Sequence, residues 1–354
     1  MAKSPSPDRV LVIQTAFLGD IVLATSFLVN LRRLLPNAEI RFLTTPAGAK
    51  ILLPNSLNIT PISFDKRGAD SGLYGFLRTA KKLKAFGPDL VFCLHRSLRS
   101  TLLARVAGGV SYGFFEAAGS VLLNHSVPRP KNAFEAEKNH ALLLDWAPEK
   151  AKGLPVYPDL KASEGDHAEA VSLLAGLEGF VALAPSSVWA TKRWPADRFA
   201  RLAEMLWEKN KLRCVLVGGS DPTDLEVAKA VMDSISNGRK NLPIPINLVG
   251  KTSLGALKSI LALARLVVAN DSAPMHVAIA MGTPVLGVFG PTTKSLGFFP
   301  LAPEGKWGVA EHRGLDCRPC GLHGHDACPR AHFRCMLELA PEAVYREAER
   351  LLCP

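Results

Sequence analysis

The stretch "VVANDSAPMHVAIAMGTPVLGVFGPT", residues 267–292, decides how the chain folds. An apolar, β-branched run ends in Asn270-Asp271-Ser272, Pro274 and His276 follow, and a second apolar run begins after Gly282-Thr283-Pro284. Strand, helix and strand in this order argue for a parallel sheet with right-handed crossovers. Asp and Ser suit a helix N-cap and proline suits the first turn, which is one sufficient reason for their presence. A helix N-terminus at the carboxyl edge of a parallel sheet is also where α/β proteins hold phosphate and ribose. The segment alone leaves both readings open.

The same alternation extends over the second half. "FVALAPSS" reads as a strand and loop, "PADRFARLAEMLWEKN" as a helix opened by Pro195, and "RCVLVGG" as a strand. "DPTDLEVAKAVMDSI" and "SLGALKSILALA" are helices flanking the short strand "INLVG". In the first half, "RVLVIQ", "EIRFLTT", "ITPISF" and "DLVFCLH" are strands, with helical patterns in "IVLATSFLVNLRRLLP" and "GLYGFLRTAKKLKAF". "PRPKNAFEAEKNHALLLDWAP" is a further helix, and the proline- and glycine-bearing "GLPVYPDLKASEGD" reads as a connection. Two doubly wound α/β units are expected, residues 1–165 and 166–340, with parallel sheets facing a central cleft. A closing helix at 341–354 is expected to pack back toward the first unit.

The chain has 354 residues, beyond the usual size of a single core, which agrees with two units. Apolar residues make up 48% and charged residues 21%, the balance of a soluble globular protein. Val10 to Leu31 carries one charge, yet Gly19-Asp20 interrupts it, and a central Asp costs roughly 2.5–3.5 kcal/mol on insertion scales. Strand, loop and helix therefore fit better than a membrane span. Residues 1–8 read as a disordered tail. The seven cysteines follow no secretory signal, so a reducing cytoplasm is expected.

The formal charge of +10 is unevenly placed. Residues 30–105 hold thirteen Lys and Arg against four Asp and Glu, a surplus close to that of the whole chain. Such a field suggests an anionic partner: a phosphorylated substrate, an anionic membrane or nucleic acid. Lys81, Lys82 and Lys84 by themselves read as a solvated helix face.

Four loops follow strands and carry the chemistry. In "TAFLGDIV", Asp20 opens a helix, either as a cap or as a general base for a hydroxyl. In "APSSVWATKRWP", Ser186, Ser187 and Lys192 form a plausible diphosphate cradle. In "VGGSDPTD", the glycines permit close backbone approach and Ser220 or Asp221 could reach a ribose, unless the segment is a simple strand–helix turn. The fourth loop is the opening stretch. Neither a P-loop nor GxGxxG after the first strand is present, so an ordinary NTPase or dinucleotide enzyme is unsupported.

In order and spacing, "FLGDIVLATSFLVNLRRLLPNAEI", "APSSVWATKRWP", "LVGGSD" and "NDSAPMHVAIAMGTPVLGVFGPT" resemble the lipopolysaccharide heptosyltransferases, glycosyltransferase family nine. "KRWP" and "NDS-x-x-MHVA" are most similar to the heptosyltransferase II branch. The resemblance implies a GT-B fold and an inverting, metal-independent transfer of L-glycero-D-manno-heptose from ADP-heptose to the inner core. It implies no cofactor beyond the donor substrate. It makes Asp20 the base and places Gly19 beside it on the acceptor side. Lys192, Ser186, Ser187, Ser220 and Thr252 then line the donor site, with Asp271, Ser272, Ala273, Pro274 and His276. Ala273 stands where the family carries glycine, and Ser186-Ser187 where relatives often carry Thr or Gly.

The implied partner is a phosphorylated lipid A–Kdo–heptose acceptor, met by a monomer peripheral to the cytoplasmic face of the inner membrane. Arg96 and Arg99, in "HRSLRS" after a strand, are expected to hold its phosphate. A first- or third-heptose enzyme is the alternative. A nucleotide- or nucleic-acid-binding module is a remote one, since the basic residues lack interleaved aromatics. Cys317, Cys320, Cys328 and Cys335 form C-x2-C-x7-C-x6-C, where thiol packing is favoured over structural zinc.

Overall fold

The computed structural model describes residues 7–54, 56–237 and 243–353. The tail expected at residues 1–8 lies, up to residue 6, outside the described residues. The chain divides after Lys161 into two compact units, slightly before the expected boundary. The helix Glu164–Leu174, whose first three residues the sequence reading placed in the connection, belongs to the second unit. Its N-terminus carries a full capping box, Ser163 with Asp166, and it packs on the helix Leu254–Leu263 of the second unit.

The first unit is a six-stranded, wholly parallel sheet. Its strands are β1 (Arg9–Ile13), β2 (Glu39–Thr44), β3 (Ile59–Ser63), β4 (Leu90–Cys93), β5 (Val110–Phe114) and β6 (His125–Val127). Their order across the sheet is β3-β2-β1-β4-β5-β6. In β1 and β4 every residue but Arg9 is buried, because helices cover both sheet faces. The helix Leu18–Leu34 buries ten side chains, and the helix Gly72–Phe86 stops at Gly87, whose φ of 58° is the left-handed cap glycine provides cheaply.

The second unit repeats the plan with β7 (Val181–Ala184), β8 (Cys214–Leu216), β9 (Ile246–Asn247), β10 (Leu266–Asn270), β11 (Val285–Phe289) and β12 (Trp307–Glu311). The order is β12-β11-β10-β7-β8-β9, again all parallel. Renumbered from its own first strand, this is the same arrangement as in the first unit. In each sheet the chain starts centrally, runs to one edge, then returns to the other side of its first strand. That reversal creates a topological switch point, between β1 and β4 and between β7 and β10.

The closing helix Pro341–Leu352 packs within the second unit. Val344, Tyr345, Ala348, Leu351 and Leu352 are buried in the second unit's core, against the helix Ala196–Asn210 and strands β10–β12. The Tyr345 hydroxyl donates to Asn210 Oδ1 at 2.8 Å. Its apolar stripe finds complementary surface there, which a sequence pattern cannot specify. Among the described residues no helix is long and apolar enough to cross a membrane.

Candidate active site

In the first unit, the loops after β1 and β4 flank the switch point. Asp20 is the third residue of the helix Leu18–Leu34, beside half-buried Gly19. The N-cap position is Phe17 and not Asp20, whose carboxylate accepts backbone hydrogen bonds from Phe17 and from its own amide inside the first turn. Burial and the nearby Glu135 carboxylate push its pKa from 3.8 up to about 7, against the opposing pull of those hydrogen bonds and Arg129. A carboxyl group poised near neutrality is a suitable general base.

Glu135 is itself buried and bonded by Arg129, with Lys138 Nζ 3.8 Å away. This triad was not singled out in the sequence, where it reads as ordinary helix charge. Further cations gather on the same edge. Lys66 follows β3 and donates to the Thr15 carbonyl at 2.6 Å. Burial first, then Arg67 and Arg99, lower its pKa, while Asp20 raises it. Arg96 and Arg99 follow β4 and are exposed; Arg99 Nη1 reaches the Lys66 carbonyl only at 3.5 Å. Ser97 between them caps the helix Leu98–Ala107, leaving both guanidinium groups outside the capping arrangement. His95 sits among the hydroxyls of Thr15, Ser97 and Ser100, and burial, Lys66 and Arg96 lower it to about 4.

In the second unit, the loops after β7 and β10 converge at the other switch point. Asn270, the last residue of β10, donates to the Pro185 carbonyl at 2.7 Å and accepts from the Trp194 amide at 3.2 Å. It thereby ties both ends of the 185–194 loop to the strand. Lys192 Nζ lies 2.6 Å from Asp271 Oδ2, with side chains 11% and 6% exposed. Thr292, after β11, donates to the same oxygen at 2.7 Å. Asp271, expected from the sequence at the donor site, is paired in the structure with Lys192, expected there too.

Ser186 donates to Asp224 Oδ1, and Asp224 Oδ2 accepts from the Gly219 amide at 2.8 Å. Asp224 therefore joins the 186 and 219 loops, a role legible only as one acid in "VGGSDPTD". Ser187 offers its backbone carbonyl to Arg193 Nε at 2.7 Å. Ser220 is exposed at the loop tip, and half-buried Thr252 precedes the helix Leu254–Leu263.

Ser272 starts the helix Ala273–Ala280, but its hydroxyl turns back to the Asn270 carbonyl and does not cap. Ala273 and Pro274 form the half-buried first turn. His276 is buried, its Nδ1 lacks a partner, and burial lowers its pKa to about 4 despite Asp271, with Lys192 adding to the lowering. It is a neutral imidazole.

Among the described residues, no three His, Cys, Asp or Glu side chains are arranged to hold a metal. Of Cys317, Cys320, Cys328 and Cys335, the last lies in the second unit's hydrophobic core.

Both selected residue sets thus sit at the carboxyl ends of central strands, and comparison with known proteins names the family. The family described as "Glycosyltransferase family 9 (heptosyltransferase)" matches residues 76–310, more than half of the chain. The chain belongs to glycosyltransferase family 9. Lipooligosaccharide heptosyltransferase 2 of Campylobacter jejuni is 28% identical over 48% of this chain and 50% of that protein. The chain thus matches about half the length of that relative. Lipooligosaccharide heptosyltransferase 2 of Haemophilus influenzae is 26% identical over 80% of this chain and 84% of its own. Relatives named heptosyltransferase 1, 2 and 3 match at 25% or 26% identity, so the branch of family 9 is not separated by them. In structure, the fold matches ADP-heptose lipopolysaccharide heptosyltransferase II of Escherichia coli with a TM-score of 0.75, at 22% identity and covering 97% and 98% of the chains. That is the GT-B class of fold.

Proposed function

We propose that this family 9 protein is an inverting glycosyltransferase that moves L-glycero-D-manno-heptose from ADP-heptose to the lipopolysaccharide inner core, adding the second heptose. The observation that carries the reading is Lys192, held by Asp271 at a switch point beside a helix N-terminus. A fixed cation and backbone amides there stabilise the charge that grows on a leaving diphosphate. Asp20 takes the acceptor hydroxyl's proton as its oxygen attacks the anomeric carbon. The carbon–oxygen bond to ADP breaks as the new glycosidic bond forms, and configuration inverts. Neutral His276 is suited to hydrogen bonding and not to charge.

With a lysine neutralising the diphosphate, the mechanism needs neither cofactor nor catalytic metal. Arg96 and Arg99 hold a phosphate of the lipid-linked acceptor, which a monomer reaches at the cytoplasmic face of the inner membrane. Support for the membrane side comes from the helix Gly72–Phe86. Its outer face exposes Leu73 and Tyr74 at 73% and 78%, together with Leu77, Lys81 and Lys84. The test is transfer by the purified chain with ADP-heptose and acceptors carrying no, one or two heptoses. Product from the one-heptose acceptor supports the second-heptose reading; product only from the heptose-free acceptor replaces it with the first-heptose reading. Failure with ADP-heptose but turnover with another nucleotide sugar would overturn the donor assignment.

A further inference from the structure

The cysteine-bearing segment after β12 has no part in the proposed transfer, yet its contacts reach both sides of the Lys192–Asp271 pair. On the lysine side, Thr191 and His325 bond reciprocally. The Thr191 amide donates to the His325 carbonyl at 3.0 Å, and the Thr191 hydroxyl accepts from the His325 amide at 2.8 Å. Trp189 and His323 stack with centroids 6.3 Å apart and an interplanar angle of 10°. Gly324 lies so close that an added Cβ would fall 2.5 Å from Trp189 Cβ and 3.1 Å from Lys192 Cγ.

On the aspartate side, the Cys320 amide donates to the Pro291 carbonyl at 3.0 Å, next to Thr292. Arg318, whose side chain is 6% exposed, donates to the carbonyls of Gly290, His312 and Thr292 and to Glu311. One bond links the two sides: His325 Nε2 donates to the Cys320 carbonyl at 3.0 Å. Lys192, Asp271, Thr292, Pro291, Cys320, His325 and Thr191 therefore form a closed ring of covalent and hydrogen-bonded neighbours. The segment enters it through backbone groups and an imidazole, with no thiol required.

We propose that the 317–325 segment is the positioning element for Lys192, acting through Thr191. Lysine has four rotatable stem bonds and its ammonium is a point charge, so its value to a diphosphate depends on being held. Asp271 fixes the ammonium; the Thr191–His325 bonds fix the backbone from which the stem departs. Thr191 is a positioning residue here, and the inference rests on Lys192 meeting the donor diphosphate.

The test is ADP binding by calorimetry on the full chain, with melting temperatures recorded alongside. Thr191→Val keeps shape and removes the hydroxyl; Thr191→Ser keeps the hydroxyl; Gly324→Ala pushes the segment away without altering a polar group. We expect Thr191→Val and Gly324→Ala to raise the ADP Kd about tenfold and Thr191→Ser to stay within about threefold. General destabilisation would lower the binding stoichiometry and leave the Kd of the folded molecules unchanged, which would overturn the proposal. So would wild-type Kd in Thr191→Val while Lys192→Ala binds weakly; in that case the donor reading survives alone. Unchanged ADP binding by Lys192→Ala would remove the donor reading and this inference with it.

Discussion

Lys192 Nζ and Asp271 Oδ2 are 2.6 Å apart, and the same oxygen accepts from Thr292. Removing one partner of a largely buried pair leaves the other charge uncompensated, at a cost of about 3–5 kcal/mol. Asp271→Ala should therefore lower the melting temperature and weaken donor use together. Lys192→Ala should raise the donor KM and reduce kcat, since the diphosphate charge exists before reaction and grows during it. Steady-state kinetics and thermal unfolding measure both. Chelators should leave the wild-type rate unchanged; a collapse in EDTA reversed by Mg²⁺ would contradict the metal-free mechanism.

Asp20→Asn should reduce kcat by ~10²–10⁴-fold while leaving ADP binding near wild type. Because Asp20 must be ionised to act and its pKa lies at about 7, wild-type kcat/KM should fall tenfold per pH unit well below neutrality. The stability effect has the opposite sign. A carboxyl raised from 3.8 to about 7 favours folding while protonated, and that contribution is lost as pH rises through 7. Asp20→Asn should then melt above wild type at pH 8, with the difference shrinking toward pH 5.

Glu135→Gln removes the negative charge that raises Asp20 and leaves Arg129 and Lys66, the cations acting on it, in place. The acid limb of the pH–rate profile should move to lower pH. The variant should also lose stability, because Arg129 and Lys138 lose their shared buried carboxylate. An unmoved acid limb in a folded variant would show that Glu135 does not influence the base.

Arg96→Ala with Arg99→Ala should raise the acceptor KM and keep the donor KM within about twofold. Both side chains are exposed beside the Asp20 loop, so salt should weaken acceptor binding more in wild type than in the double variant. Unchanged acceptor kinetics would place the phosphate elsewhere.

The outer face of the helix Gly72–Phe86 should bind anionic vesicles. Leu73→Ser with Leu77→Ser, or Lys81→Gln with Lys84→Gln, should reduce co-sedimentation with phosphatidylglycerol-containing vesicles and leave neutral vesicles unbound. Equal sedimentation of wild type and both variants would exclude this face.

The sequence by itself determined the alternation of strands and helices, the two units and the four loops. These depend on period and on local chemistry: β-branched runs, Pro195 and Pro274 in first turns, glycines where strands meet helices. It also placed Asp20, Lys192 and Asp271 on loops that follow strands, because α/β topology fixes which strand ends carry ligands. It did not show β5, β6 and β12; β6 has only three residues and β12 is a half-exposed edge strand, so both give little apolar signal, and β5 is broken by Gly113. Only the tertiary structure decided that Asp271 holds Lys192, that Thr292 and Asp224 join neighbouring loops, and that Glu135 acts on Asp20. It likewise seated the closing helix in the second unit and set the cysteine segment against Thr191. Each of these relates residues far apart in the chain. Their partners follow from how sheets and helices pack, and the composition around either residue carries no trace of the other.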